Sequence, residues 1–149
     1  MAARKKYDKK LFESTQASSD TSANIYESML LSDAWQDLTP RQQILYVHMK
    51  SQYYSEKRKP DGDRTCFTFN QAKWRDKYHL YTDANKKAFY TDRDALILHG
   101  FIRCTYDGKS QQRKTEYQYS DKWRFWGQPT FSLSQADMPQ SLKAKLKAG

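Results

Sequence analysis

Cysteine, histidine, glycine and long apolar runs are all scarce in this 149-residue chain, and each scarcity removes a class of function. Its two cysteines, Cys66 and Cys104, stand alone, without the paired spacing of a zinc site or a disulfide framework, so they read as free thiols packed in strands. His48, His79 and His99 are scattered singly, which leaves no cluster to hold a metal. The five glycines are isolated, so no phosphate-cradling loop is encoded, and there is neither a Gly-x-Ser-x-Gly elbow nor a His-Glu-x-x-His helix. A nicking tyrosine nucleophile would want a metal held on clustered histidines, which are missing. The expectation is a protein that is not an enzyme, with no metal and no cofactor. No apolar stretch approaches the roughly 18 residues of a membrane span, and the N-terminus has no apolar middle of a signal peptide, so a cytoplasmic location without a membrane partner is expected.

What the chain does have is positive charge in particular places. There are 26 Lys and Arg against 17 Asp and Glu, a formal net charge of +9, which favours an anionic partner. Residues 25–69 balance, with six charges of each sign, whereas residues 70–126 hold twelve basic and seven acidic side chains. The remaining excess sits at the ends: residues 1–10 carry five basic residues and one acidic, and residues 141–149 carry three lysines.

Hydrophobic patterning divides the chain into three parts. Residues 1–24 join a basic head to a Ser/Thr/Asp tract with little to bury and read as a flexible arm. Residues 25–127 carry the periodic apolar positions of a single domain, and residues 128–149 read as a partly disordered tail, its end at most transiently helical. Within the domain, an apolar lead-in at residues 25–38 precedes Thr39-Pro40, an N-cap followed by proline at the first helical position, and a helix to about Tyr54. A short strand at residues 66–69 follows, then Asn70 as cap of a second helix on which Trp74 and Tyr78 are spaced to touch. Thr82 or Asp83 caps a third helix, residues 85–99, which ends at Gly100.

After that glycine, residues 101–106 and 115–120 alternate as the strands of a hairpin, and the connection at residues 107–114 opens with Asp-Gly but exceeds a tight turn. Trp123, Phe125 and Trp126 are expected to close the core. Helix, strand, helix, helix and long-looped hairpin is the order of an α+β winged helix-turn-helix, with a three-helix core, a small antiparallel sheet and a β-hairpin wing.

That order assigns candidate contacts to double-stranded DNA. With Phe89, Asn85, Leu96 and the stem of Arg93 turned inward, the third helix presents Lys87, Tyr90, Thr91 and Asp94, with Lys86 at the edge. The wing supplies Lys109, Gln111, Gln112, Arg113 and Lys114 for phosphate or a minor groove, and the head supplies Arg4, Lys5 and Lys6. Among the 11 tyrosines, Tyr106, Tyr117 and Tyr119 are the ones placed to stack unpaired bases, with core filling as the competing account.

The segments "LSDAWQDLTPRQQILYVHMKSQ", "FTFNQAKW" and "KKAFYTDRDALILHGFIR" resemble the winged-helix domains of bacterial plasmid and conjugative-element proteins, both replication initiators and origin-binding accessory proteins. The resemblance covers residues 25–126 and implies sequence-selective binding of duplex DNA at an origin of transfer or replication, or at a promoter. The chain has no evident second winged-helix domain, which favours an accessory or regulatory role over initiation, with relaxosome or replication proteins and a homodimer on DNA as further partners. The alternative from another class is a protein-interaction adaptor that uses the same fold to dock a relaxase or replication partner.

Overall fold

The computed structural model describes Phe12 and residues 22–55, 63–108 and 113–148. Of the expected contacts, Arg4, Lys5, Lys6, Lys109, Gln111 and Gln112 lie outside the described residues.

Two short helices lead in, α1 (Glu27–Leu30) and α2 (Asp33–Asp37), the second capped by Ser32, whose hydroxyl accepts from the Trp35 N–H. At α3 (Pro40–Lys50) the sequence signal is met in full: Thr39 Oγ1 accepts from the Gln42 N–H and the Gln42 amide oxygen accepts from the Thr39 N–H, a reciprocal capping box with proline at the first position. The expected run to Tyr54 is interrupted at Ser51, whose hydroxyl bonds to the His48 carbonyl at 2.6 Å and competes with the helical ladder there. A one-turn helix, α4 (Gln52–Ser55), resumes beyond it. Gln52 is fully buried and donates both to His48 O and to the Tyr78 hydroxyl.

After strand β1 (Cys66–Thr68) the second expected helix is a π-helix, Ala72–Lys77, closed by the Tyr78 N–H donating to Lys73 O five residues back. Asn70 starts this element through its carbonyl, which accepts from Lys73 and Trp74. The wider winding separates Trp74 from Tyr78: Trp74 packs on Tyr81 and Phe89, while Tyr78 stacks on Phe69 and meets His48.

The third long element, α5 (Lys86–Leu98), ends in a Schellman turn, with Gly100 N–H bonded to Ile97 O and Phe101 N–H to Leu96 O. Gly100 takes φ +85°, and the turn drives Phe101 straight into the core. Strands β2 (Ile102–Tyr106) and β3 (Glu116–Tyr119) form the expected hairpin, and β1 joins its far edge to give an antiparallel sheet of order β1-β3-β2. Cys104 pairs with Tyr117 and Tyr106 with Glu116, so Thr105 is the extra residue of a bulge, and its hydroxyl reaches Glu116 O.

The protein is therefore α+β, with its helices around a three-stranded antiparallel sheet. Aromatics fill the centre. Trp35, Tyr46 and Phe101 meet at 5.2–5.8 Å, Phe101 stacks on Trp123, and Phe89 links Phe69, Trp74 and Tyr81. Tyr117 is buried and Tyr119 stacks on Phe67 while donating to Met49 O, so two of the three tyrosines considered for base stacking belong to this packing. Trp126 is half-buried against His99, and Phe125 is exposed.

The C-terminal stretch expected as a tail folds onto the domain. Met138 and Leu142 are buried in the core, the latter from α6 (Gln140–Ala148). Its anchors, Asp94 and Asp107, are distant in sequence, which is why local pattern did not reveal it.

Cys66 and Cys104 are free and buried in strands, and burial pushes both thiols up to about 11. At pH 8 the thiolate fraction is then about 0.001, against about 0.1 for an ordinary thiol, so folded protein should alkylate with iodoacetamide about a hundredfold more slowly than protein in denaturant. Equal rates, followed by mass spectrometry, would contradict this packing.

Candidate functional site

The site is built outward from α5. Thr82 accepts from the Asn85 N–H and closes a 3₁₀ turn, Asp83–Asn85, which leads into the helix. Because Asn85 ends that turn, it is exposed, not set beside Phe89 as a continuous helix would place it. Phe89, Leu96 and Ile97 bury the inner face.

Two charged clusters fix the flanks. On one flank the buried Asp92 accepts from Arg41 Nε at 2.7 Å, from Arg41 Nη2 at 3.3 Å and from the Tyr81 hydroxyl at 2.6 Å, tying α5 to α3. On the other, Arg93 and Asp94 are both buried, with Arg93 Nη2 3.0 Å from Asp94 Oδ1 and 3.3 Å from Ser141 Oγ. Arg93 Nη1 donates to the Tyr117 hydroxyl at 3.4 Å, and burial pushes that phenol up to about 12 against the pull of the guanidinium. It therefore stays a neutral acceptor.

Helical periodicity places Asp94 well away from Phe89 and so on the presented face. The structure instead buries it under α6, where Lys145 Nζ stands 3.4 Å from its second oxygen. Docking of α6 thereby removes a carboxylate from the surface that α5 shows to solvent.

What remains open is the N-terminal half of α5. Lys86, Lys87 and Thr91 are exposed, and Tyr90 is half-buried with the Arg93 guanidinium 4.7 Å and the Lys86 ammonium 5.9 Å from its ring centre. These four line a cleft of about 670 Å³ whose wall also includes the hairpin base, Asp107 and residues 113–115, together with Asn70-Gln71 and the start of α6. Arg113 and Lys114 are exposed on that wall, the former 5.4 Å from the Tyr106 ring centre. The Arg113 N–H donates to Gly108 O and the Gly108 N–H to Thr115 Oγ1, which pins the hairpin base in place.

Six of the expected contacts thus meet around one cleft, since Lys86, Lys87, Tyr90, Thr91, Arg113 and Lys114 form its walls. Asp94 is the exception and lies beneath α6. Among the described residues, five exposed cations, the four basic wall residues and Lys145, line the cleft together with the buried Arg93, against one lining carboxylate, Asp107, which accepts from the Gln140 N–H. Sequence reasoning missed Lys145, Asn70 and Gln71. A lysine-rich end was visible, but nothing local shows which lysine turns inward.

The exposed cations of this cleft stand on α5, the hairpin base and α6, with the amide and hydroxyl groups of Asn70, Gln71 and Thr91 among them, so positive charge dominates its lining. Among the described residues there is no group of three or more His, Cys, Asp or Glu able to hold a metal, and no helix long and apolar enough to cross a membrane. Compared with known protein families, curated proteins and solved structures, the chain matches none of them.

Proposed function

We propose that this protein is a winged-helix domain that binds double-stranded DNA sequence-selectively and catalyses nothing, acting as an accessory or regulatory factor at an origin of transfer or replication, or at a promoter, of a mobile element. The observation that carries the reading is the shared cleft: Lys86, Lys87 and Thr91 of α5 and Arg113 and Lys114 of the hairpin face one space. The sheet order β1-β3-β2, with the hairpin following α5, supports a wing beside a recognition helix. An α-helix about 10–12 Å across enters the B-DNA major groove, about 12 Å wide, and a hairpin beside it meets the flanking backbone.

Roles divide by chemistry. Thr91 donates its hydroxyl to Lys87 O at 3.0 Å, which leaves its lone pairs and methyl for a base edge. Lys87 stands one turn away on the same face and reaches bases or phosphate. Arg113 and Lys114 sit on the wall where backbone passes and supply charge without reading sequence.

Selection of the full chain against a random duplex pool is expected to enrich a site, and affinity for that site should fall with salt at a log–log slope near −4 to −5, from about five phosphate contacts. Lys87→Ala and Thr91→Ala should change which sequence is preferred, whereas Arg113→Ala and Lys114→Ala should weaken all duplexes alike. No enrichment would sink sequence selectivity. A duplex affinity that barely responds to salt would overturn the phosphate-binding reading of the cleft.

A further inference from the structure

The C-terminal helix meets α5 in one specific orientation. Leu142 is buried to 2% exposure, which fixes how α6 rolls on the domain. Ser141 and Lys145, four residues apart, then share the side that faces α5: Ser141 Oγ accepts from Arg93 and Lys145 Nζ approaches Asp94. Lys143 and Lys147 lie about 160° around the helix from Lys145. Lys143 lines a different hollow, with Cys104 and Thr105 of β2. Of the three lysines only Lys145 lines the cleft that holds Lys87 and Arg113.

We infer that Lys145 is a third phosphate-binding element, set into the DNA interface by the docked α6, and that Lys143 and Lys147 are not. The inference rests on the duplex-DNA reading above and deepens it. An ammonium has three donors, and the single carboxylate oxygen 3.4 Å away engages at most one, so Lys145 holds Asp94 with one and offers the others to an anion in the cleft. Asp94 is also held by Arg93 at 3.0 Å, so a phosphate arriving at Lys145 meets a carboxylate already neutralised. Lys145 is 61% exposed at its side chain and free to make that reach.

The test uses the full chain and a fluorescent duplex carrying the selected site, titrated at several salt concentrations. Lys145→Ala should bind roughly five- to tenfold more weakly and show a log–log salt slope smaller in magnitude by about 0.9, the loss of one phosphate contact. Lys143→Ala and Lys147→Ala should stay within about twofold of the parent, and Lys145→Arg should restore both affinity and slope. If Lys145→Ala weakens binding with an unchanged slope, Lys145 only supports the fold and the inference fails; it fails equally if the three alanine variants are indistinguishable. Should the parent chain bind no duplex at any salt, the DNA reading itself falls, an outcome separate from the other two.

Discussion

Replacing Gly100 with alanine is expected to lower the unfolding free energy by roughly 2–5 kcal/mol, a large part of the 5–15 kcal/mol that typically holds a domain together. Two independent costs add. The residue sits at φ +85°, where a side chain meets its own backbone and loses about 1–2 kcal/mol. A Cβ there would also stand 2.6 Å from Trp123 N and 2.7 Å from Lys122 C, and those are backbone atoms that cannot swing aside. Gly127 separates the two terms, since it has φ +84° but a methyl group added to it would meet nothing within 4 Å. Gly127→Ala should therefore cost only the conformational part. Urea unfolding of the two variants measures the difference, and equal losses would mean that the junction of α5, β2 and the 3₁₀ turn Lys122–Phe125 is not packed as described. The same junction joins α5 to the hairpin, so loosening it should weaken the duplex binding proposed above as well.

That glycine also marks how much of the fold is written locally in the sequence. Thr39-Pro40, Gly100 and the alternation after it are local signals whose causes lie within four residues, and each element they announced is present. The failures are non-local. Helical spacing put Trp74 against Tyr78, but the segment winds as a π-helix and sends them to different partners. Periodicity put Asp94 on the open side of α5, but the structure buries it, with Arg93 on one oxygen and Lys145 of α6 on the other. The nine residues of α6 carry only two leucines, too little pattern to announce a docked helix, and its anchors on Arg93, Asp94 and Asp107 are 33 to 51 positions away. The candidate site was legible on α5 and the hairpin because charge and turn chemistry are written locally; Lys145 was not, because its direction is set by where Leu142 is buried.

The second large effect is expected at Arg93, where the apolar substitution Arg93→Met should destabilise by about 3–5 kcal/mol although it buries a hydrophobic side chain of similar length. The loss comes from what is left behind. Asp94 is buried beside it at 7% side-chain exposure, the Tyr117 hydroxyl loses the donor at 3.4 Å, and Ser141 loses the bond that holds the start of α6. Lys145 alone cannot replace a guanidinium that donates from both Nε and Nη2 to Asp94 Oδ1, because its ammonium is mostly in water and an exposed pair contributes about 1 kcal/mol or less. The control is the double variant Arg93→Met with Asp94→Leu. Removing both charges leaves no uncompensated ion, so the double variant should recover much of the loss and give a favourable coupling of at least about 1–2 kcal/mol in a double-mutant cycle. If the two single losses simply add, Arg93 and Asp94 are not a buried pair and α6 is not anchored through them. The double variant also separates fold from function, because it keeps α5 and the hairpin in place while leaving Lys145 with no carboxylate to hold. In that background Lys145 should be freer to meet phosphate, and affinity for the selected duplex should hold or rise even as the contact between α6 and α5 changes from ionic to apolar.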